Sequence, residues 1–185
     1  PGSPEIIRQL MRRQDRLNLN ELHPIDAETL RDRYGRDRRV SLTQLDAAIA
    51  IKSQLPPPER RGLVLVDPPY EVTDEIERIV VMLSDGVKRF ANGIYCIWYP
   101  VTGDGLDTRI ADALRIMKLP EGLRVELRVR SARMDSGLSG SGMILLNPPW
   151  QLDTELAILL PELCARLGQD ESASARVSPL AADRS

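Results

Sequence analysis

Histidine is nearly absent from this 185-residue chain: His23 is the only one, which excludes a histidine-rich metal site. Cysteine is almost as scarce. Cys96, in a strand-like run, and Cys164, in a helix-like run, are not spaced as zinc ligands and read as reduced, buried thiols of a cytosolic protein. No apolar run reaches membrane-spanning length, and the first residues are not a signal peptide. A surplus of one charge is lacking too. The formal net charge is −2, so any contact with nucleic acid must come from a local patch. Arginine is locally clustered, at Arg12, Arg13 and Arg16, at Arg36, Arg38 and Arg39, and at Arg124, Arg128, Arg130 and Arg133. Each cluster taken singly reads as a solvated surface. No internal repeat is present.

What remains is an alternation of helices and strands in a chain long enough for one α/β core. Ser3 is read as an N-cap with Pro4 at the first helical position, and Ile6, Ile7, Leu10 and Met11 share a face. Residues 17–22 alternate as a short strand. Residues 26–34 read as a helix closed by Gly35, 40–45 as a strand, and 47–55 as a helix ended by Pro56-Pro57-Pro58. Helices follow at 74–90 and 106–118, and strands at 93–99 and 123–130. A Gly/Ser-rich loop at 131–141 leads to a strand at 143–146 and a last helix at 154–167. From about Gln169 periodicity is lost, so residues 168–185 are expected to be a disordered tail. Two late strands joined without a helix predict a mostly parallel sheet whose last strand turns back antiparallel.

The stretch that carries chemistry is Gly62-Leu63-Val64-Leu65-Val66-Asp67-Pro68-Pro69-Tyr70-Glu71. Five uncharged residues, four of them branched aliphatics, predict a strand covered on both faces. An acid, two prolines and an aromatic then follow at its carboxyl end, where open α/β sheets place ligands. An adenine amino nitrogen is a poor nucleophile because its lone pair is delocalised into the ring. Asp67 could accept one amino hydrogen and the Pro68 carbonyl the other, drawing the nitrogen toward a tetrahedral geometry. The Pro-Pro step fixes φ and brings no competing N–H. Tyr70 could stack on a base taken out of its helix. The motif resembles the Asp-Pro-Pro-Tyr of S-adenosylmethionine-dependent methyltransferases that modify exocyclic amino groups.

A broader resemblance is carried by further segments in the same order. They are Pro1-Gly2-Ser3-Pro4, Glu21-Leu22-His23-Pro24, Leu55-Pro56-Pro57, Arg60-Arg61-Gly62-Leu63, Lys88-Arg89-Phe90, Trp98-Tyr99-Pro100, Ser141-Gly142-Met143-Ile144 and Asn147-Pro148-Pro149-Trp150. Together they are similar to the bacterial 23S ribosomal RNA adenine-N6-methyltransferases, from Pro1 to about Leu167. The resemblance implies an α/β, Rossmann-like methyltransferase sheet over residues 1–167 and S-adenosyl-L-methionine as cofactor. It also implies protein-free or precursor 23S ribosomal RNA as partner, no metal, and a cytoplasmic setting. Asp67, Pro68 and Tyr70 then form the catalytic motif, and Ser3, Glu21, Asp46 and Ala47 contact the cofactor. Glu21 would take the ribose hydroxyls and Asp46 the adenine amino group.

Two departures stand against that pattern. The family carries a segment ahead of Pro1 with its first strand and glycine-rich loop, so the chain is expected to be a fragment, a truncated product or a degenerate copy. Ala47 replaces a family glycine and costs about 1 kcal/mol if that position needs φ > 0; otherwise its methyl crowds the adenine. Asn147-Pro148-Pro149-Trp150 mimics the motif of glutamine and guanine methyltransferases, but an antiparallel strand would carry it to the edge opposite Asp67, as a structural turn. His23 reads as structural, and Lys88-Arg89 as charge at a helix C-terminus. Trp98-Tyr99-Pro100 is a candidate for the substrate pocket, beside Tyr70 if the strands are adjacent. A DNA adenine-N6 methyltransferase and a non-catalytic remnant remain as alternatives.

Overall fold

A computed structural model of the chain describes residues 2–70, 74–117, 120–132 and 137–180. Outside them lie Pro1, Glu71 of the motif, Lys118 at the predicted helix end, Arg133, part of the predicted 131–141 loop, and residues 181–185. The chain divides into two compact units, Pro1–Leu55 and Pro56–Ser185.

The first unit runs α1 (Ser3–Leu10), β1 (Leu17–Asn20), α2 (Pro24–Tyr34), β2 (Val40–Thr43) and α3 (Ala47–Gln54). Strands β1 and β2 pair in parallel, from Leu17 with Val40 to Asn20 with Thr43. The Leu-Asn-Leu-Asn alternation buries Leu17 and Leu19 and exposes both asparagines. Those leucines and Tyr34 form the core, with Ile7, Met11, Leu30, Val40 and Leu42 packed on it. Each such buried side chain contributes roughly 1.5–3 kcal/mol. Only half of the predicted α1 face turns inward: Ile6 and Leu10 are exposed. Ser3 is not the N-cap. Gly2 takes that place, and Ser3 opens the helix.

The second unit contains β3 (Leu63–Val66), α4 (Glu75–Arg89), β4 (Ile94–Val101), α5 (Leu106–Arg115), β5 (Gly122–Arg128), β6 (Gly140–Leu146), α6 (Leu152–Leu167) and β7 (Ser174–Pro179). Their order is β3-β4-β6-β5-β7. β3 and β4 are parallel, and β6 runs antiparallel between β4 and β5, as the two helix-less late strands predict. Tyr95, Ile97, Tyr99 and Val101 of β4 are fully buried on one face. On the other, Cys96, Leu123 and Leu145 pack with Leu65, Ile94, Val125, Met143 and Leu152. Burial pushes the Cys96 thiol up to about 11, whereas Cys164 is half-buried rather than buried.

Two further sequence expectations are corrected. β3 is not covered on both faces: it pairs only with β4 in its sheet, Leu63 is 55% exposed, and the next three residues are half-buried. A continuous apolar run does not distinguish an interior strand from an edge strand. The supposed tail instead supplies β7, paired with β5 from Leu123–Pro179 to Arg128–Ser174. There Ala175 and Val177 alternate with Ser174, Arg176 and Ser178, and Pro179 stands at an edge where a missing N–H costs no ladder bond.

Candidate active site

Asp67 follows the last residue of β3 and so stands at the carboxyl end of the parallel β3–β4 pair. Its side chain is exposed by area, yet desolvation by the atoms around it raises the carboxyl above its ordinary value. Among the described residues its carboxylate has no hydrogen-bond or ion-pair partner. An acid in that state is an acceptor left open to a ligand.

The prolines decide what happens next. β3 pairs with β4 only as far as Val66 and Ile97, although β4 continues to Val101. Pro68 and Pro69 would continue the ladder but have no N–H to donate. The Trp98 carbonyl is met instead by the Tyr70 hydroxyl, which donates to it across 2.6 Å. Tyr70 adopts φ +56, a strained conformation for a non-glycine residue. Its ring lies 6.3 Å from that of Trp98, tilted by 55°. Burial, with the nearby Asp67 charge, raises the phenol far above its usual range, so it stays a donor. Asp67, Pro68, Tyr70 and Trp98 are thus gathered at one strand end.

Behind Trp98, Tyr99 is fixed by a buried ionic group that sequence reading did not identify. Its hydroxyl donates to Glu126 at 2.9 Å, and Arg124 donates to the Tyr99 oxygen at 3.2 Å. Asp107 of α5 accepts from Arg124 at 3.2 Å and from Arg128 at 2.8 Å. Tyr99, Gly142 and Glu126 occupy one row of the sheet. A Cβ on Gly142 would land on the Tyr99 ring, so only glycine lets that ring cross β6.

In the first unit, Glu21 follows β1 and Asp46 lies just beyond β2, at the carboxyl end of that parallel pair. Glu21 Oε1 accepts the His23 N–H at 2.8 Å. Asp46 is the N-cap of α3, its Oδ1 accepting from the N–H of Ala48 at 2.9 Å and Ile49 at 3.4 Å. Asn20 holds this loop: its Nδ2 donates to the Leu45 carbonyl at 2.9 Å, and its Oδ1 accepts from the Leu45 N–H at 3.2 Å and the Thr43 hydroxyl at 2.8 Å. Its polar place in the β1 alternation was the only sequence signal. Ala47 begins α3 and is not among the positive-φ residues, so the possible backbone penalty at this position does not arise.

Asn147 is spent on structure. It follows β6 at the amino end of β4, has φ +52, and its Nδ2 donates to the carbonyls of Ala91 and Gly93, each at 2.8 Å. That is the edge opposite Asp67, as the topology predicted. His23 is the N-cap of α2, with Nδ1 3.2 Å from Asp26. Among the described residues no group of three His, Cys, Asp or Glu could hold a metal ion, and no helix is long and apolar enough to cross a membrane.

Comparison with known proteins identifies the family. The profile of the family described as "Ribosomal RNA large subunit methyltransferase D, RlmJ" matches residues 1–179. The chain is 43% identical over 166 residues to a Haemophilus influenzae protein named Ribosomal RNA large subunit methyltransferase J, covering 90% of this chain and 59% of the relative. It is 40% identical over 178 residues to the Escherichia coli protein of that name, covering 96% and 64%. The chain thus spans less than two thirds of the length of these curated relatives. The crystal structure of protein LPL1258 from Legionella pneumophila superposes with a TM-score of 0.86 at 30% identity, over 96% of this chain and 66% of that one. With an Asp-Pro-Pro-Tyr turn at a parallel strand end and a family match across both units, the chain belongs to the RlmJ family of ribosomal RNA large subunit methyltransferases.

Proposed function

We propose that the protein transfers a methyl group from S-adenosyl-L-methionine to the exocyclic N6 amino group of an adenine in 23S ribosomal RNA. The substrate is protein-free or precursor RNA in the cytoplasm. One observation supports the reading above the others. Asp67, without a partner among the described residues and raised above its ordinary value, follows a parallel strand in a turn that Tyr70 ties to Trp98.

The donor chemistry of the first unit fits the nucleoside half of the cofactor. Glu21 and Asp46 put two acids at neighbouring strand ends, as ribose hydroxyls and an adenine amino group require. Asn20 fixes the loop that carries Asp46. Ser3 and Ala47 complete the set by family resemblance. When bound, the cofactor supplies an electrophilic methyl group on its sulfonium sulfur.

The chain's own work is on the amino group. Asp67 accepts one amino hydrogen and the Pro68 carbonyl the other, which localises the nitrogen lone pair. A carboxyl above its ordinary pKa is also a better resting place for the proton the nitrogen loses. The Tyr70 ring offers a face for the extruded base. The test is incubation with labelled cofactor and either protein-free 23S RNA or duplex DNA, followed by nucleoside analysis. N6-methyladenosine from the RNA is expected. Label in DNA alone, in another nucleoside, or in neither would overturn the reading.

A further inference from the structure

The first unit carries a feature that methyl transfer does not use. Two arginine clusters far apart in sequence, 12–16 and 36–39, meet at the amino end of the β1–β2 pair. The Leu17 N–H donates to the Arg39 carbonyl at 2.9 Å, and Arg39 Nη1 reaches the Met11 carbonyl at 3.5 Å. Beside this junction an open cavity of about 720 Å³ is lined by Arg8, Arg33, Arg36 and Arg38 around the buried Tyr34.

Its acids are already satisfied. Glu5 accepts from Arg8 at 2.8 and 3.0 Å and from Gln9 at 2.8 Å, and these bonds hold its carboxyl at about 2. Asp37 accepts from Arg39 at 2.7 and 3.0 Å and lies 3.9 Å from Arg8; the Arg39 bonds hold it at about 2 as well. Arg33, Arg36 and Arg38 are all exposed, and among the described residues none makes a hydrogen bond or ion pair. Arg33 lies over the Tyr34 ring, 5.6 Å from its centroid, and its charge adds to the lowering of the Glu5 carboxyl without a hydrogen bond between them. Three forked guanidinium groups with no hydrogen-bonded or ion-paired carboxylate among the described residues, on one cavity of a chain with net charge −2, have the chemistry of a local anion site rather than a general cationic surface.

The site is separate from the acids Glu21 and Asp46. Those stand at the carboxyl end of the same strand pair, roughly 13 Å away along four residues of extended chain. One nucleotide does not occupy both. We infer that the Arg33–Arg36–Arg38 cavity binds backbone phosphates of the RNA substrate, at a place apart from the acids Glu21 and Asp46, fixing the RNA without reading its sequence. The inference rests on the proposal that the substrate is RNA.

Its test is binding of a protein-free 23S RNA fragment at several salt concentrations, with no methyl donor present. Loss of three phosphate contacts in Arg33→Gln/Arg36→Gln/Arg38→Gln should weaken binding by about tenfold or more. It should also reduce the slope of log affinity against log salt by roughly 2 to 3. Arg36→Glu and Arg166→Glu make the same change in net charge, the second on an exposed residue of α6. Weaker binding by Arg36→Glu alone, at unchanged melting temperature, supports the site. Equal losses in both, no loss in either, or no salt-dependent binding by the parent chain would overturn it. Because the assay contains no methyl donor, a failure of methyl transfer shows separately, in the nucleoside analysis.

Discussion

The Tyr70 hydroxyl donates to the carbonyl of Trp98, 28 residues later, and so closes the ladder at the level where Pro68 and Pro69 cannot. That bond holds a residue at φ +56 and fixes the turn carrying Asp67. Tyr70→Phe keeps the ring and removes the bond. Stability should fall by about 1 kcal/mol, and methyl transfer should fall by more than the loss of folded protein explains. Denaturant titration beside rates normalised to folded protein checks both. An unchanged rate would mean that the turn is held without the hydroxyl.

Asp67 has a stability consequence of its own. Its folded-state carboxyl is raised by desolvation, so between the ordinary 3.8 and that raised value the folded protein holds more proton than the unfolded chain. Stability from this group therefore falls as pH rises through that window, and the ionised form is a net cost at neutral pH. Asp67→Asn should melt at or above the parent temperature at neutral pH, with the difference vanishing below 3.8. A lower melting temperature at neutral pH would show that the carboxylate has a stabilising partner.

Asn147→Ala should act on folding and not on chemistry. The substitution removes two hydrogen bonds, to Ala91 and Gly93, and leaves an alanine at φ +52. A loss of roughly 2–4 kcal/mol is expected, with the rate per folded molecule unchanged. Calorimetry and normalised turnover separate the two. A large loss of rate at unchanged stability would make Asn147 the amino-group acceptor after all.

The legible parts of this molecule were those written in local chemistry. The run from Leu63 to Val66 into Asp67-Pro68-Pro69-Tyr70 announced a strand and the turn that follows it. Two strands joined without a helix announced the antiparallel β6 and sent Asn147 to the far edge. What was missed depends on register. Asn20 holds Leu45 only because β1 and β2 align Asn20 with Thr43. Ala47 looked strained where glycine is expected, yet its place at the start of α3 asks for no positive φ. β7 escaped notice because Ala175 and Val177 are a faint apolar signal, and its pairing partner β5 lies about 50 residues earlier in the chain. The two arginine clusters looked like separate solvated surfaces until the parallel pairing brought their loops together.

The central claim is that Asp67 is the acceptor on which methyl transfer depends, and one comparison tests it most directly. Incorporation of tritiated methyl into protein-free 23S RNA is measured for the parent protein and for Asp67→Ala, which leaves no side-chain acceptor at this place, beside cofactor affinity by titration calorimetry. Loss of one preorganised acceptor should lower the rate by about 10²–10³ and leave cofactor affinity unchanged. A rate for Asp67→Ala within about tenfold of the parent, roughly 1.4 kcal/mol of barrier, would contradict the account.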